Sequence, residues 1–143
     1  HDALVQGIGF VPQEINVMED LSVAENIFVG HLNNKKGVNM KEVKKHCEKF
    51  LKENKFSLKA DTNVGTLSIG QKQLLMVAKA LSWDPSILIL DEPTTALSQS
   101  DVENLFDIVR YLREKEPVLY LLRINWTRFL RLLTGLPYFA MAT

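Results

Sequence analysis

Ile87-Leu88-Ile89-Leu90-Asp91-Glu92-Pro93 is the stretch that decides the fold. Its first four residues are apolar and stand between polar flanks, which predicts a strand buried on both faces of a parallel sheet. Two carboxylates and a proline follow at once, so the strand ends in a turn that carries acid groups. In open α/β sheets, ligands sit beyond the carboxyl ends of the strands. A carboxylate fixed there is placed to hold a phosphate-bound Mg²⁺ through water, and the next one, Glu92, to polarise an attacking water. A plain Asp-Glu-Pro turn leaving a core strand is the competing reading of the same residues.

Upstream, Leu67-Ser68-Ile69-Gly70-Gln71 heads a helix that runs to about Trp83 and is ended by Asp84-Pro85. Free N–H groups at a helix N-terminus form a phosphate site, Gly70 lets the backbone approach closely, and the Ser68 hydroxyl adds a donor. Ser68 and Gln71 equally fit an ordinary S-x-x-Q capping box. Downstream, Ser100 and Glu103 suggest the cap of a helix whose buried stripe is Val102, Leu105, Phe106, Val109 and Leu112. Pro117 to Leu122 reads as one more strand.

Nearer the start, Ile8-Gly9-Phe10-Val11 is a strand stopped by Pro12. Leu21 to Phe28 has helical spacing, with Ser22 and Glu25 as its capping box. His31 to Val38 is polar and reads as a loop. Met40, Val43, Cys47, Phe50 and Leu51 share one face of a second helix, with lysines opposite. Strands alternate with helices late in the chain while the middle is helical, and the class is therefore α/β.

Composition agrees with one globular domain. The chain has 143 residues, 46% of them apolar and 24% charged. Seventeen basic residues balance seventeen acidic ones, so no net field favours nucleic acid or an anionic membrane. The lysines from Lys35 to Lys59 alternate with glutamates, as on a solvated helix face. One cysteine, Cys47, rules out an internal disulfide framework, and His46 beside it does not make a metal site. Arg128 and Arg131 interrupt the only apolar stretch long enough to be considered for a membrane span. The first residues lack both an initiator Met and a signal-peptide layout, which suggests an intracellular soluble piece that starts in mid-domain.

Taken together, the two phosphate-site signals resemble the signature motif (Leu67 to Gln71) and Walker B (Ile87 to Pro93) of ABC-type ATPases. Gln13 matches the Q-loop glutamine, and Thr95-Ala96-Leu97-Ser98 matches the D-loop. Leu21-Ser22-Val23-Ala24-Glu25-Asn26-Ile27-Phe28 and Ala78-Lys79-Ala80-Leu81-Ser82 are similar to the sugar-importer branch, of the ribose, galactose and xylose type. The resemblance runs from about Asp2 to Tyr120.

This resemblance implies a partial P-loop NTPase core with an inserted α-helical subdomain. Residues 1–18 would be the end of a core strand and the Q-loop, 19–66 the helical subdomain, 67–120 the signature helix to the last strand, and 121–143 a non-family tail. It implies ATP and Mg²⁺ as cofactors. Gln13 would touch the metal and its water, Asp91 would hold Mg²⁺ through water, and Glu92 would be the general base. Leu67, Ser68, Ile69, Gly70 and Gln71 would bind the γ-phosphate of ATP held by a second ATPase domain. Ala96, Leu97 and Ser98 would line the seam between the two domains. Further partners would be transmembrane permease subunits and, indirectly, a sugar-binding protein. The location would be peripheral, on the cytoplasmic face of the membrane, with no nucleic acid involved. Ile69 stands where many relatives carry Gly, a departure the sugar branch shares.

Two family features are not found. No G-x-x-x-x-G-K-[ST] occurs, and the only histidines are His1, His31 and His46, none of them at the switch position. The expectation is a truncated ATPase domain with its Walker A half missing, inactive by itself. A catalytically inert fragment and a non-transport ABC-type ATPase are the alternatives. The second is weak, because Gln13 and Ser68 are separated by 68 − 13 = 55 positions without heptads. After Glu116 no acidic residue occurs. Trp126, Phe129, Leu130, Leu132, Leu133 and three arginines would suit an amphipathic membrane-surface helix. Back-translation offers another origin: shifted by one nucleotide, codons chosen for Arg123 to Ala142 read as the family's own continuation, beginning with the missing histidine. A frameshift near Tyr120 to Leu122 would make the tail an out-of-frame peptide.

Overall fold

The computed structural model describes residues 7–31, 39–91, 98–115 and 119–123. Three parallel strands, β1 (Ile8–Val11), β2 (Ile87–Asp91) and β3 (Leu119–Arg123), lie in the order β1-β2-β3. Between β1 and β2 the chain forms α1 (Val23–Phe28), α2 (Met40–Glu53) and α3 (Ile69–Leu81), and α4 (Gln99–Lys115) connects β2 to β3. Parallel neighbours require such crossovers, which the alternation of elements in the sequence anticipates.

The middle of the chain is helical because its apolar residues repeat at helical spacing and its ends are capped. α1 starts at Val23 behind a complete capping box: the Glu25 N–H donates to Ser22 Oγ at 3.3 Å, and the Ser22 N–H donates to Glu25 Oε2 at 2.8 Å. That pairing holds the Glu25 carboxyl below its ordinary range. α2 ends in a Schellman arrangement, with the Phe56 N–H on the Leu51 carbonyl and Lys55 in the left-handed region at φ 59°. Cys47 and Leu51 face inward from α2, whereas Met40 is 44% exposed and does not join the stripe expected of it. It occupies the first turn, beyond the reach of the core. The core joins α1, α3 and the sheet through Ile27, Leu74, Leu75, Val77, Leu88 and Leu90, all 1% exposed or less.

At the far end of α1, His31 stacks on Trp83 with ring centroids 3.8 Å apart, and its Nε2 lies 2.9 Å from Ser82 Oγ. The Ser82 hydroxyl already donates to the Lys79 carbonyl, so the imidazole nitrogen is the donor. A Cβ on Gly30 would meet the indole at 2.8 Å, and only glycine allows this closure.

Two further expectations change. Among the described residues β2 is fully buried on one face only: Leu88 and Leu90 are inside, while Ile87 and Ile89 are half-buried and Phe10 of β1, opposite Ile89, is 53% exposed. Among the described residues the helices cover the face that carries Gly9 and Val11. The cap of α4 is not Ser100 with Glu103 but Ser98 with Asp101. The Asp101 N–H donates to Ser98 Oγ at 3.3 Å, and that hydroxyl donates to Asp101 Oδ2 at 2.6 Å. Both pairs have S-x-x-acid spacing, and the one at the true helix boundary makes the cap. The strand expected at Pro117 to Leu122 is β3, whose Leu121, Leu122 and Arg123 stand opposite Ile89, Leu90 and Asp91. Of the loop expected from His31 to Val38, His31 ends a short 3-10 turn (Val29–His31), and residues 32–38, the Leu112 side chain and the tail from 124 onward lie outside the described residues.

Candidate functional site

Strand register brings two of the expected residues to one edge. Val11 lies opposite Leu90 in parallel pairing, so Pro12-Gln13 and Asp91 leave neighbouring strands at the same, carboxyl, end of the sheet. Asp91 is half-buried as the last residue of β2, and Gln13 is exposed. Glu92, Ala96 and Leu97 lie outside the described residues.

The second part of the site is the head of α3. Ser68 is its N-cap: Ser68 Oγ accepts from the Gln71 N–H at 3.2 Å, and Gln71 Oε1 accepts from the Ser68 N–H at 3.0 Å. The capping box and the phosphate reading, competing in the sequence, are compatible here. Capping uses a lone pair of the Ser68 oxygen and leaves its O–H free to donate. Among the described residues, the Ile69 and Gly70 N–H groups have no acceptor, as the first turn of a helix leaves them. Ile69 is 56% exposed, so this turn is open to solvent on one side. On the other side Gly70 is buried beneath Asp101, whose carboxylate takes the space a Cβ would need. The head of α3 therefore contacts Asp101, whose carboxylate is bonded to Ser98 at the cap of α4.

These residues fit the groups expected of them. Unpaired N–H groups at a helix N-terminus suit a phosphate oxygen. Asp91 supplies a hard oxygen donor at the end of β2. Mg²⁺ is commonly held in that manner, by one or two carboxylates together with water and phosphate. Cys47 plays no part: it is fully buried, and desolvation pushes its thiol up to about 12.

A family model described as "ABC transporter" matches residues 1–95. The chain belongs to the ABC transporter family. Gln13, Leu67 to Gln71, Asp91 and Glu92 all fall inside the matched span. Among curated ABC relatives, the chain is 40% identical over 117 residues to the ribose import ATP-binding protein RbsA of Shouchella clausii, covering 80% of this chain and 23% of that one. It is 41% identical over 114 residues to the arabinose import ATP-binding protein AraG of Vibrio parahaemolyticus, covering 79% and 22%. The chain thus spans under a quarter of the length of the curated relatives it matches. Among solved ABC structures, it is similar to an ATP-binding cassette captured as a dimer in a post-hydrolysis state bound to ADP and Pi. That likeness has a TM-score of 0.64 at 26% identity, over 86% of this chain and 55% of the other. The architecture is therefore that of an ABC ATPase cassette, a partial P-loop NTPase core with a helical subdomain.

Sequence reasoning missed three residues near this ABC site. Asn26 is fully buried in α1 and grips the Met18 backbone. Glu19, in the segment after Gln13, pairs with Lys72 of α3, whose side chain is 15% exposed. Asp101 lies against Gly70. Only Asn26 left a signal, as a polar residue flanked by the apolar Val23, Ala24, Ile27 and Phe28.

Proposed function

We propose that this chain is the Q-loop, helical-subdomain, signature and Walker B portion of an ATP-hydrolysing subunit that drives ABC-type import of a sugar. Its similarity to ribose and arabinose import ATP-binding proteins carries the reading, with Gln13, Ser68, Gly70, Gln71 and Asp91 all inside the family match. Bound Mg²⁺ and ATP supply charge neutralisation and the phosphoryl group for hydrolysis. Asp91 and Gln13 would hold the metal's water shell at the sheet edge. The Ile69 and Gly70 N–H groups and the Ser68 hydroxyl would donate to phosphate oxygens presented by a second ATPase domain. Glu92 would accept the proton of the attacking water. Ala96, Leu97 and Ser98 would form the seam with that second domain.

The proposed partners are a second cassette in a head-to-tail sandwich, transmembrane permease subunits and, through them, a sugar-binding protein. The proposed place is the cytoplasmic face of the membrane, held peripherally. Among the described residues, no helix is long and apolar enough to cross a membrane. In this scheme the 143 residues lack the phosphate-cradling loop and its Lys, so Asp91 and Glu92 face an unanchored nucleotide. The isolated chain should bind ATP weakly and release phosphate no faster than its Glu92→Gln variant. Turnover above that control would show that hydrolysis does not depend on such a loop.

A further inference from the structure

Gln13 lies on a short tether with both ends fixed. One end is Val11, 1% exposed in β1. The other is Met18, whose N–H donates to Asn26 Oδ1 at 2.8 Å and whose carbonyl accepts from Asn26 Nδ2 at 2.9 Å. The same Nδ2 donates to the Ser22 carbonyl at 3.1 Å, so this fully buried amide is satisfied on both sides. One residue on, the Glu19 carbonyl accepts from the Gly65 N–H at 2.9 Å, and the Glu19 carboxylate pairs with Lys72, two positions beyond Gly70. Between the two ends, residues 13–17 make no hydrogen bond among the described residues, and only Val17 among them packs against the core.

We propose that Asn26 is a positioning residue for Gln13. Its amide reads both main-chain groups of Met18 as a neighbouring strand would, and so turns residues 12–17 from a loose segment into a loop of fixed span. The Glu19–Lys72 pair then ties the end of that loop to the helix that carries Ser68 and Gly70. The position of Gln13 at the sheet edge is thereby referred to the signature helix through α1. A side chain that contacts no reactant sets where the metal-facing glutamine can reach. The functional half of this inference rests on the role proposed for Gln13, whereas the anchorage does not.

Amide hydrogen exchange on the full 143-residue chain, resolved residue by residue, tests the anchorage without nucleotide. In the wild type a step in protection is expected between residues 14–17, which exchange freely, and Met18, protected like the amides of α1. Asn26→Ala should raise exchange at Met18 about tenfold while Val23, Ala24 and Val64 keep theirs. Leu74→Ala, a core change elsewhere, should raise all of these together. The functional arm uses a polypeptide in which the chain follows a G-x-x-x-x-G-K-[ST] loop. There Asn26→Ala should lower turnover per bound ATP several-fold with KM nearly unchanged, whereas Leu74→Ala leaves turnover per bound ATP as it was. A Met18 amide exchanging as fast as residues 14–17, or wild-type turnover in Asn26→Ala, overturns the proposal. Absent turnover in the wild-type assembly overturns the role of Gln13 instead, and leaves the exchange step to judge the anchorage.

Discussion

Gly30 has no side chain, and this lets the Trp83 indole close over the His31 imidazole, whose Nε2 proton is then committed to Ser82. Burial, and after it the neighbouring His46, lowers the His31 pKa from its ordinary 6.5. Among the described residues its ring neighbours Phe28 and Trp83 are neutral, and His46 packs on the Phe28 ring that His31 also touches. A depressed histidine pKa means that the unfolded chain takes up the proton first as pH falls. Stability is therefore full above about pH 6.5 and declines as the pH drops below it. Melting temperature should fall between pH 7 and pH 5.5, before carboxylates titrate, and the fall should shrink in His31→Gln. A wild-type melting temperature that rises on acidification through this window would contradict the assignment.

At the scale of elements, one serine caps the head of α3 and, in the proposed function, would also meet a phosphate. Ser68→Arg removes the cap and places bulk and charge where a second cassette's phosphate would arrive, so ATP-dependent dimerisation in a loop-bearing polypeptide should be lost. The cap alone is worth about 1 kcal/mol. Ser68→Asp keeps a cap of equal quality and sets a like charge against phosphate, so it should spare thermal stability and still abolish dimerisation by light scattering. Dimerisation that survives both changes would show that this turn is structural. The elements themselves were legible because period and caps agreed: Ser22 with Glu25 and Ser68 with Gln71 mark true helix starts. Ser100 with Glu103 has the same spacing and marks none, since two adjacent acid-spaced serines compete and the helix starts at the earlier one. Gln13, Asp91 and the α3 turn were legible because each follows an element whose end the sequence declares. The pairings of Asn26, Glu19 and Asp101 were not, because their partners are 8, 53 and 31 positions away (26 − 18, 72 − 19, 101 − 70), and only the fold brings them together.

At the scale of the whole molecule, the described residues form a three-stranded parallel sheet with one covered face, and the proposed site lies on its carboxyl edge. The exposed Phe10 and half-buried Ile87 and Ile89 mark the other face. A run of four apolar residues read as a doubly buried strand, and in this sheet only alternate side chains, Leu88 and Leu90, are fully inside. The central claim is that this edge serves ATP hydrolysis with Glu92 as the base, and one comparison tests it most directly. In a polypeptide where the chain follows a G-x-x-x-x-G-K-[ST] loop, phosphate release and ATP binding should be measured for the wild type and for Glu92→Gln. The amide keeps the shape and one acceptor but cannot take a proton. Phosphate release should therefore fall about a hundredfold or more, while ATP binds as tightly as before. Equal loss of binding and hydrolysis, or wild-type release from Glu92→Gln, would contradict the account.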